Sequence, residues 1–218
     1  MRAVIVAGGA LPHAQADRAH IRPDDLLLAA DGGGHYCLSL GLSPAAVIGD
    51  FDSLAPEELR ALQDLGAALV RHPARKDQTD LELAVRFALE HGADEILILG
   101  GLGERWDQTI ANLLLVGAPG LGQAHLRILD GPQEIHSLRA GEILELHGQI
   151  GDIVSLIPLS GDARGVTTQG LDYPLQDGTL PFGSTLGVSN SLSQPVARIT
   201  FEHGLLLCTI LHLAPGVT

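Results

Sequence analysis

The chain has 218 residues, which is room for one large domain or two small ones with a sizeable apolar core. Asp and Glu number 26 against 13 Lys and Arg, a formal net charge of −13; such a field repels phosphate backbones and anionic lipid surfaces, so neither nucleic acid nor a membrane is an expected partner. With 45% hydrophobic and 18% charged residues, the composition excludes intrinsic disorder and predicts a packed globule.

The first nine residues, Met1-Arg2-Ala3-Val4-Ile5-Val6-Ala7-Gly8-Gly9, carry no cationic region, long apolar stretch or cleavage site. No apolar run approaches the ~18 residues of a membrane span, so a cytoplasmic location is expected. From there, short apolar runs alternate with helical patterns, the mark of a parallel sheet with crossover helices. Strands are predicted at 3–7, 26–30, 46–48, 67–70 and 95–99; their nearly continuous apolar content suits strands covered on both faces. A helix is predicted over 80–90, opened by a Thr79-x-x-Glu82 capping box and closed by His91 and Gly92, with Leu81, Ala84, Val85 and Ala88 as its buried stripe. A second helix is predicted over 107–116, with Ile110, Leu113 and Leu114 on one face.

The glycine- and proline-rich segment 117–122 marks a boundary, since no helical period follows it. Strands are predicted at 126–129, 134–138, 142–146, 153–157, 165–168, 196–202 and 205–211, separated by turn pairs such as Asp130-Gly131. That spacing predicts an antiparallel sandwich. The expected architecture is therefore an α/β chain: a Rossmann-like parallel-sheet domain over 1–121 and an antiparallel β-sandwich domain over 122–218.

Cys37 and Cys208 stand far apart, in no Cys-x-x-Cys pair, and read as buried apolar residues. The histidines form no His-Glu-x-x-His motif, and His203 and His212 read as strand punctuation, which disfavours zinc. The single lysine, Lys76, lies between Arg75 and Asp77, so the Gly-Lys-Ser/Thr of a P-loop is missing. Ala7-Gly8-Gly9-Ala10 does not fit a dinucleotide fingerprint.

In an open parallel sheet, ligands bind beyond the carboxyl ends of the strands. The segments there are acidic: Asp31-Gly32-Gly33-Gly34, Gly49-Asp50-Phe51-Asp52-Ser53, Arg75-Lys76-Asp77-Gln78-Thr79-Asp80 and the run from Gly100 to Gln108. Gathered carboxylates repel one another, and a hard dication such as Mg²⁺ offsets that cost. Asp50 and Asp52, alternating on an extended segment, suit the task, with Asp77 and Asp80 as partners. Taken singly, each segment reads as a solvated turn or a helix cap; four at one rim do not. Gly32 to Gly34 and Gly100 to Gly103 would let backbone amides approach a polyphosphate, and Arg75, Lys76 and Arg105 would balance the remaining charge. The residues by themselves thus reach a Mg²⁺-dependent enzyme acting on a nucleotide or a phosphorylated small molecule.

The ordered set Ala30-Asp31-Gly32-Gly33, Gly49-Asp50-Phe51-Asp52-Ser53, Asp77-Gln78-Thr79-Asp80-Leu81-Glu82 and Arg105-Trp106-Asp107-Gln108 closely resembles the thiamine pyrophosphokinase family. So does the C-terminal set Thr168-Gln169-Gly170-Leu171-Asp172-Tyr173-Pro174-Leu175, Phe182-Gly183-Ser184 and Val188-Ser189-Asn190. The resemblance implies transfer of a diphosphoryl group from ATP to the hydroxyethyl oxygen of thiamine, with AMP leaving. It implies Asp50, Asp52 and Asp80 at the magnesium and polyphosphate site, and Asp31, Gly32, Lys76, Asp77, Thr79, Arg105, Asp107 and Gln108 around the nucleotide. Tyr173, Ser189 and Asn190 are implied to hold thiamine, and a homodimer to share its sites between chains. Asp80 and Asp52 are the alternatives for a general base. Trp106 is expected to be a core aromatic where the helix begins. Two rival expectations are diphosphoryl transfer to another alcohol, such as a hydroxymethylpterin, and a non-catalytic thiamine or nucleotide sensor.

Overall fold

The computed structural model describes residues 1–214. The chain divides into two compact units, one from Met1 to Gly131 and the other from Pro132 onward. The α/β architecture with a following antiparallel sandwich is as expected from the sequence.

The first unit runs β1 (Arg2–Val6), α1 (Ala14–Arg18), β2 (Leu26–Ala30), α2 (Gly33–Ser39), β3 (Ala46–Gly49), α3 (Pro56–Asp64), β4 (Ala68–Arg71), α4 (Asp80–Glu90), β5 (Glu95–Leu99), α5 (Trp106–Leu115) and β6 (His125–Asp130). The strand order is β6-β5-β1-β2-β3-β4, and every pairing is parallel. The chain winds outward from β1 through β4, then returns to the other side of β1 for β5 and β6. This reversal opens a crevice at the carboxyl ends of β1 and β5, where an open sheet accepts ligands. Ala3 to Val6, Leu28 to Ala30 and Ile96 to Leu99 are buried, as befits strands covered on both faces.

α4 spans the residues expected. Thr79 caps it by accepting a bond from the Glu82 amide at 3.2 Å, and Leu81, Ala84, Val85 and Ala88 are buried. Three helices were not anticipated. In α2 the Gly33-Gly34 start lowers helix propensity, yet packing demands it: a Cβ on Gly33 would collide with the Val6 carbonyl oxygen. α3 starts on Pro56, with the Glu58 carboxylate accepting from the Ala55 amide at 2.8 Å. α1 is a single short turn of five residues, too short to show a period.

The strand expected to open the second domain, β6, instead completes the parallel sheet, with Glu95 paired to His125 and Leu99 to Leu129. Leu126, Ile128 and Leu129 are all buried, the two-faced burial of a parallel strand. The 117–122 segment is accordingly a helix-to-strand connection, including a 3₁₀ turn at Pro119–Leu121, and the expected boundary at 121/122 lies ahead of where the first unit ends.

The second unit contains β7 (Gln133–Arg139), β8 (Ile143–His147), β9 (Ile153–Pro158), β10 (Ala163–Gln169), β11 (Gly178–Leu180), β12 (Asn190–Ser191), β13 (Val196–Thr200) and β14 (Leu205–Leu211). One layer is ordered β12-β9-β14-β7 and the other β11-β10-β13-β8, with antiparallel pairing throughout. Val154, Leu156, Leu206 and Ile210 from the first layer pack with Leu146, Val166, Ala197 and Ile199 from the second. Cys37 and Cys208 are buried and free, and burial pushes each thiol up to about 12. His212 does more than end a strand: its Nδ1 lies 2.8 Å from Asp152 Oδ2, and the Gln149 and Leu213 amides donate to the same buried carboxylate. No helix among the described residues is long and apolar enough to cross a membrane.

Candidate active site

A cleft of about 640 Å³ lies at the carboxyl end of the parallel sheet. It is lined by the segments that follow β1 (Ala7 to Ala10), β2 (Asp31, Gly32), β3 (Asp50, Asp52, Ser53) and β5 (Gly100 to Arg105), and by the first turns of α4 and α5.

The acidic floor is built by tight backbone. Asp31 and Phe51 both adopt left-handed conformations, at φ 41° and 69°, so the segment carrying Asp50 and Asp52 is a turn, in place of the extended alternation expected. Phe51 is buried, with the Arg71 guanidinium 4.7 Å over its ring, and Arg71 Nη1 donates to the Asp50 carbonyl at 2.9 Å. Burying Phe51 leaves the carboxylates on either side of it directed to the cleft. The Asp52 amide donates to Asp50 Oδ1 at 3.1 Å, and the Ser53 hydroxyl to Asp52 Oδ1 at 3.0 Å. Gly49 makes the crowding possible, because a Cβ there would meet Asp31 Cβ at 2.9 Å and Asp80 Oδ1 at 3.1 Å.

One carboxylate oxygen from each of Asp31, Asp50 and Asp52 falls within 4.8 Å of the others. Asp31 is only 7% exposed, and its Oδ1 is buried with no hydrogen-bond partner. Burial, and then the charges of Asp80, Asp52 and Asp50, raise its carboxyl above the usual range, against a lowering bond from Ser53. Desolvated oxygens grouped without a cation are costly, and a hard dication with oxygen ligands matches them. Asp80 differs from the expected arrangement: Lys76 Nζ reaches its Oδ1 at 2.6 Å. The lysine thus neutralises Asp80 beside the three-carboxylate group.

Of the residues expected around the nucleotide, Asp31, Gly32, Thr79, Arg105 and Gln108 line the cleft. Lys76 reaches it through Asp80, whereas Asp77 and Asp107 are exposed and absent from the lining. Asp107 instead pairs with Arg105 at 2.6 Å on the surface; that bond holds the Asp107 carboxyl below its usual range and the Arg105 guanidinium above its own. Trp106 is 75% exposed, which corrects its expected core placement, and Ile110 and Leu114 share that exposure. The face of α5 turned inward is the polar one, Thr109 and Asn112. These two, with Gly8 and Gly9, line the cleft and were not expected to; the backbone bonds they make are invisible to a search for charge or apolar period.

In the second unit, Asn190 is committed to backbone. Its Oδ1 accepts from the Tyr173 amide at 3.1 Å and its Nδ2 donates to the Tyr173 carbonyl at 2.8 Å. Tyr173 itself is exposed. Ser189 is exposed and left-handed at φ 63°, with its amide donating to Ser155 Oγ at 3.1 Å. Asn190 therefore shapes the segment that presents the Tyr173 ring.

Two neighbouring substitutions separate capping from chemistry at α4. Thr79→Ala is expected to lower stability by about 1 kcal/mol through loss of the cap. Asp80→Asn is expected to leave stability close to wild type and to reduce turnover. Denaturant midpoints and kcat for the pair check this; equal stability losses with no difference in turnover would reduce the motif to a cap.

Residues 18–123 match the family model described as thiamin pyrophosphokinase, catalytic domain, and residues 142–206 the one described as thiamin pyrophosphokinase, vitamin B1 binding domain. The chain is 32% identical to thiamine pyrophosphokinase of Bacillus subtilis over 203 residues, covering 93% of this chain and 95% of that one. The crystal structure of Bacillus subtilis thiamine pyrophosphokinase superposes with a TM-score of 0.88 at 30% identity, over 98% of this chain and 100% of that one. That of the Geobacillus thermodenitrificans protein gives 0.85 at 29% identity, over 100% of both chains. With both family models matched in order and similarity running nearly end to end, this chain belongs to the thiamine pyrophosphokinase family, the enzymes that form thiamine diphosphate from thiamine and ATP.

Proposed function

We propose that the acidic cleft of the first unit holds the polyphosphate of ATP with Mg²⁺, and that diphosphoryl transfer to thiamine takes place there. The enzyme's reaction is the ATP-dependent formation of thiamine diphosphate. One observation carries the placement: the buried, unpartnered Asp31 oxygen grouped with Asp50 and Asp52 in a cleft whose remaining lining is rich in glycine. Asp31, Asp50 and Asp52 would hold the metal, with Asp80 beside them. When bound, Mg²⁺ supplies charge neutralisation of the polyphosphate and fixes its orientation.

The chain's own groups do the rest. Lys76 offsets the Asp80 charge, and Arg105 and Gln108, at the cleft wall, orient the nucleotide. The hydroxyethyl oxygen of thiamine attacks the β-phosphorus and gives its proton to Asp52, Asp80 or water, the bond from that phosphorus to the α-phosphate oxygen breaks, and AMP leaves. Positioning and charge neutralisation supply most of the catalysis in phosphoryl transfer, so no covalent intermediate on the protein is required. Tyr173, Ser189 and Asn190 form the thiamine cradle, with Asn190 holding the backbone that presents the Tyr173 ring. The working form is a cytoplasmic homodimer in which the cradle of one protomer serves the acidic cleft of its partner.

Incubation with ATP, Mg²⁺ and thiamine should yield AMP and thiamine diphosphate in equal amounts, and a hydroxymethylpterin should not substitute for thiamine. Release of ADP, or faster turnover of the pterin, would overturn the reading. For the shared site, Asp52→Asn and Asn190→Ala proteins are each expected to be inactive, and mixing them under subunit exchange should restore up to half the wild-type activity per mixed dimer. No recovery, with exchange confirmed by tagged subunits, would confine each site to one chain.

A further inference from the structure

Three carbonyl oxygens of the loop after β5, those of Gly100, Gly101 and Gly103, are engaged. Gly100 O accepts from the Gly9 amide at 2.9 Å. Gly101 O accepts from Asn112 Nδ2 at 2.6 Å. At Gly103 a single hydroxyl serves both backbone groups, because the amide donates to Thr109 Oγ1 and that hydroxyl bonds the carbonyl, each at 3.1 Å. Thr109 and Asn112 lie three residues apart on the inward face of α5, are 9% and 8% exposed, and themselves line the cleft.

Two buried polar side chains on the inner face of a helix require a reason, since leucine or valine there would fill the same volume without needing partners. Their bonds supply it. A free carbonyl oxygen facing the cleft would set partial negative charge against a polyphosphate, in a site that already gathers Asp31, Asp50, Asp52 and Asp80. Bonding the Gly101 and Gly103 oxygens to α5 removes that repulsion, as a glycine-rich loop that cradles phosphate requires.

We infer that Thr109 and Asn112 are positioning residues: they hold the Gly101 and Gly103 carbonyls turned from the polyphosphate, and so set the affinity for ATP while leaving thiamine binding and the chemical step unaffected. This rests on the reading of the cleft as the ATP site.

The test measures Mg²⁺-dependent binding of α,β-methylene-ATP, in which the bond to be broken is replaced by carbon, together with KM for ATP, KM for thiamine and kcat. The proteins are wild type, Thr109→Val, Thr109→Ser, Asn112→Leu and Asp52→Asn. Loss of one positioning bond should weaken analogue binding and raise KM for ATP by about five- to tenfold in Thr109→Val and Asn112→Leu. KM for thiamine and kcat should stay within about twofold, and Thr109→Ser, which keeps the hydroxyl, should restore wild-type binding. A purely structural role would move both KM values together or lower kcat, and that result overturns the inference, as does unchanged analogue binding in Thr109→Val. Should Asn112→Leu fail to fold, the isosteric Thr109→Val and its serine rescue decide alone. If Asp52→Asn weakens analogue binding but Thr109→Val does not, only this inference fails; if neither variant weakens it, the ATP reading of the cleft fails with it.

Discussion

Asp52→Asn is expected to fold as wild type does and to lose ~100-fold or more in kcat. Asp52 is exposed, and the bond it accepts from the Ser53 hydroxyl can be accepted equally by an amide oxygen, so the substitution removes charge and little else. That charge belongs to one of three carboxylates whose oxygens lie within 4.8 Å of one another. Removing the charge from one ligand of a hard dication weakens both its retention and its hold on the polyphosphate. The measurement is kcat at limiting and at saturating Mg²⁺, with circular dichroism to check the fold. Near wild-type turnover at limiting Mg²⁺ would remove Asp52 from the metal site.

Asp31→Asn should lose activity on the same scale and yet gain stability when no metal is present. In the metal-free protein the Asp31 carboxylate is buried, one of its oxygens has no partner, and burial followed by the Asp80, Asp52 and Asp50 charges raises its carboxyl from 3.8. The sign of the linkage follows. A carboxyl with a higher pKa folded than unfolded binds its proton more tightly in the fold, so its contribution is most favourable below the unfolded value and is lost as pH rises through the folded value. Above the folded value the penalty is present, and the neutral amide relieves it. Asparagine also tolerates the left-handed backbone at this position, φ 41°. A gain of about 1 kcal/mol, roughly 2–4 °C in Tm for a chain of this size, is expected in a chelator. Mg²⁺ with ATP should then raise the Tm of wild type more than that of the variant, since the stability that ligand binding adds to the folded state rises with the logarithm of affinity. Thermal melts with and without Mg²⁺-ATP, beside kcat, check both halves; a lower Tm in the chelator would refute the account of Asp31.

The site was legible to the extent that its chemistry is written in charge. The acidic segments following the strands were recognisable as one rim because a parallel sheet aligns its carboxyl ends, and Asp31, Asp50, Asp52 and Asp80 do line a single cleft. The pairing of Lys76 with Asp80 was not legible, because nothing in a linear run of Arg75-Lys76-Asp77 selects which carboxylate the ammonium meets. Nor was the turn at Phe51: alternation of acidic and apolar residues is compatible with an extended strand, and only burial of the ring against Arg71 favours the left-handed conformation. Thr109 and Asn112 escaped notice for a further reason. Their role is to bond backbone of a different loop, so neither their charge nor their spacing distinguishes them from surface polar residues.

What the sequence by itself determined is whatever repeats over a few residues or is capped within one turn. Apolar runs specified β2, β5 and β14, and the Thr79-x-x-Glu82 box specified where α4 begins. What only the tertiary structure decided depends on partners distant in the chain. β6 joined the parallel sheet because β5 offered a free edge matching its two apolar faces. α2 formed across a glycine pair because the Val6 carbonyl leaves no room for a side chain. α5 turned Thr109 and Asn112 inward, onto the loop after β5, and Trp106, Ile110 and Leu114 outward. Local signals encode the elements; the choice of which face packs and which edge pairs is made by contacts between residues the linear pattern does not bring together.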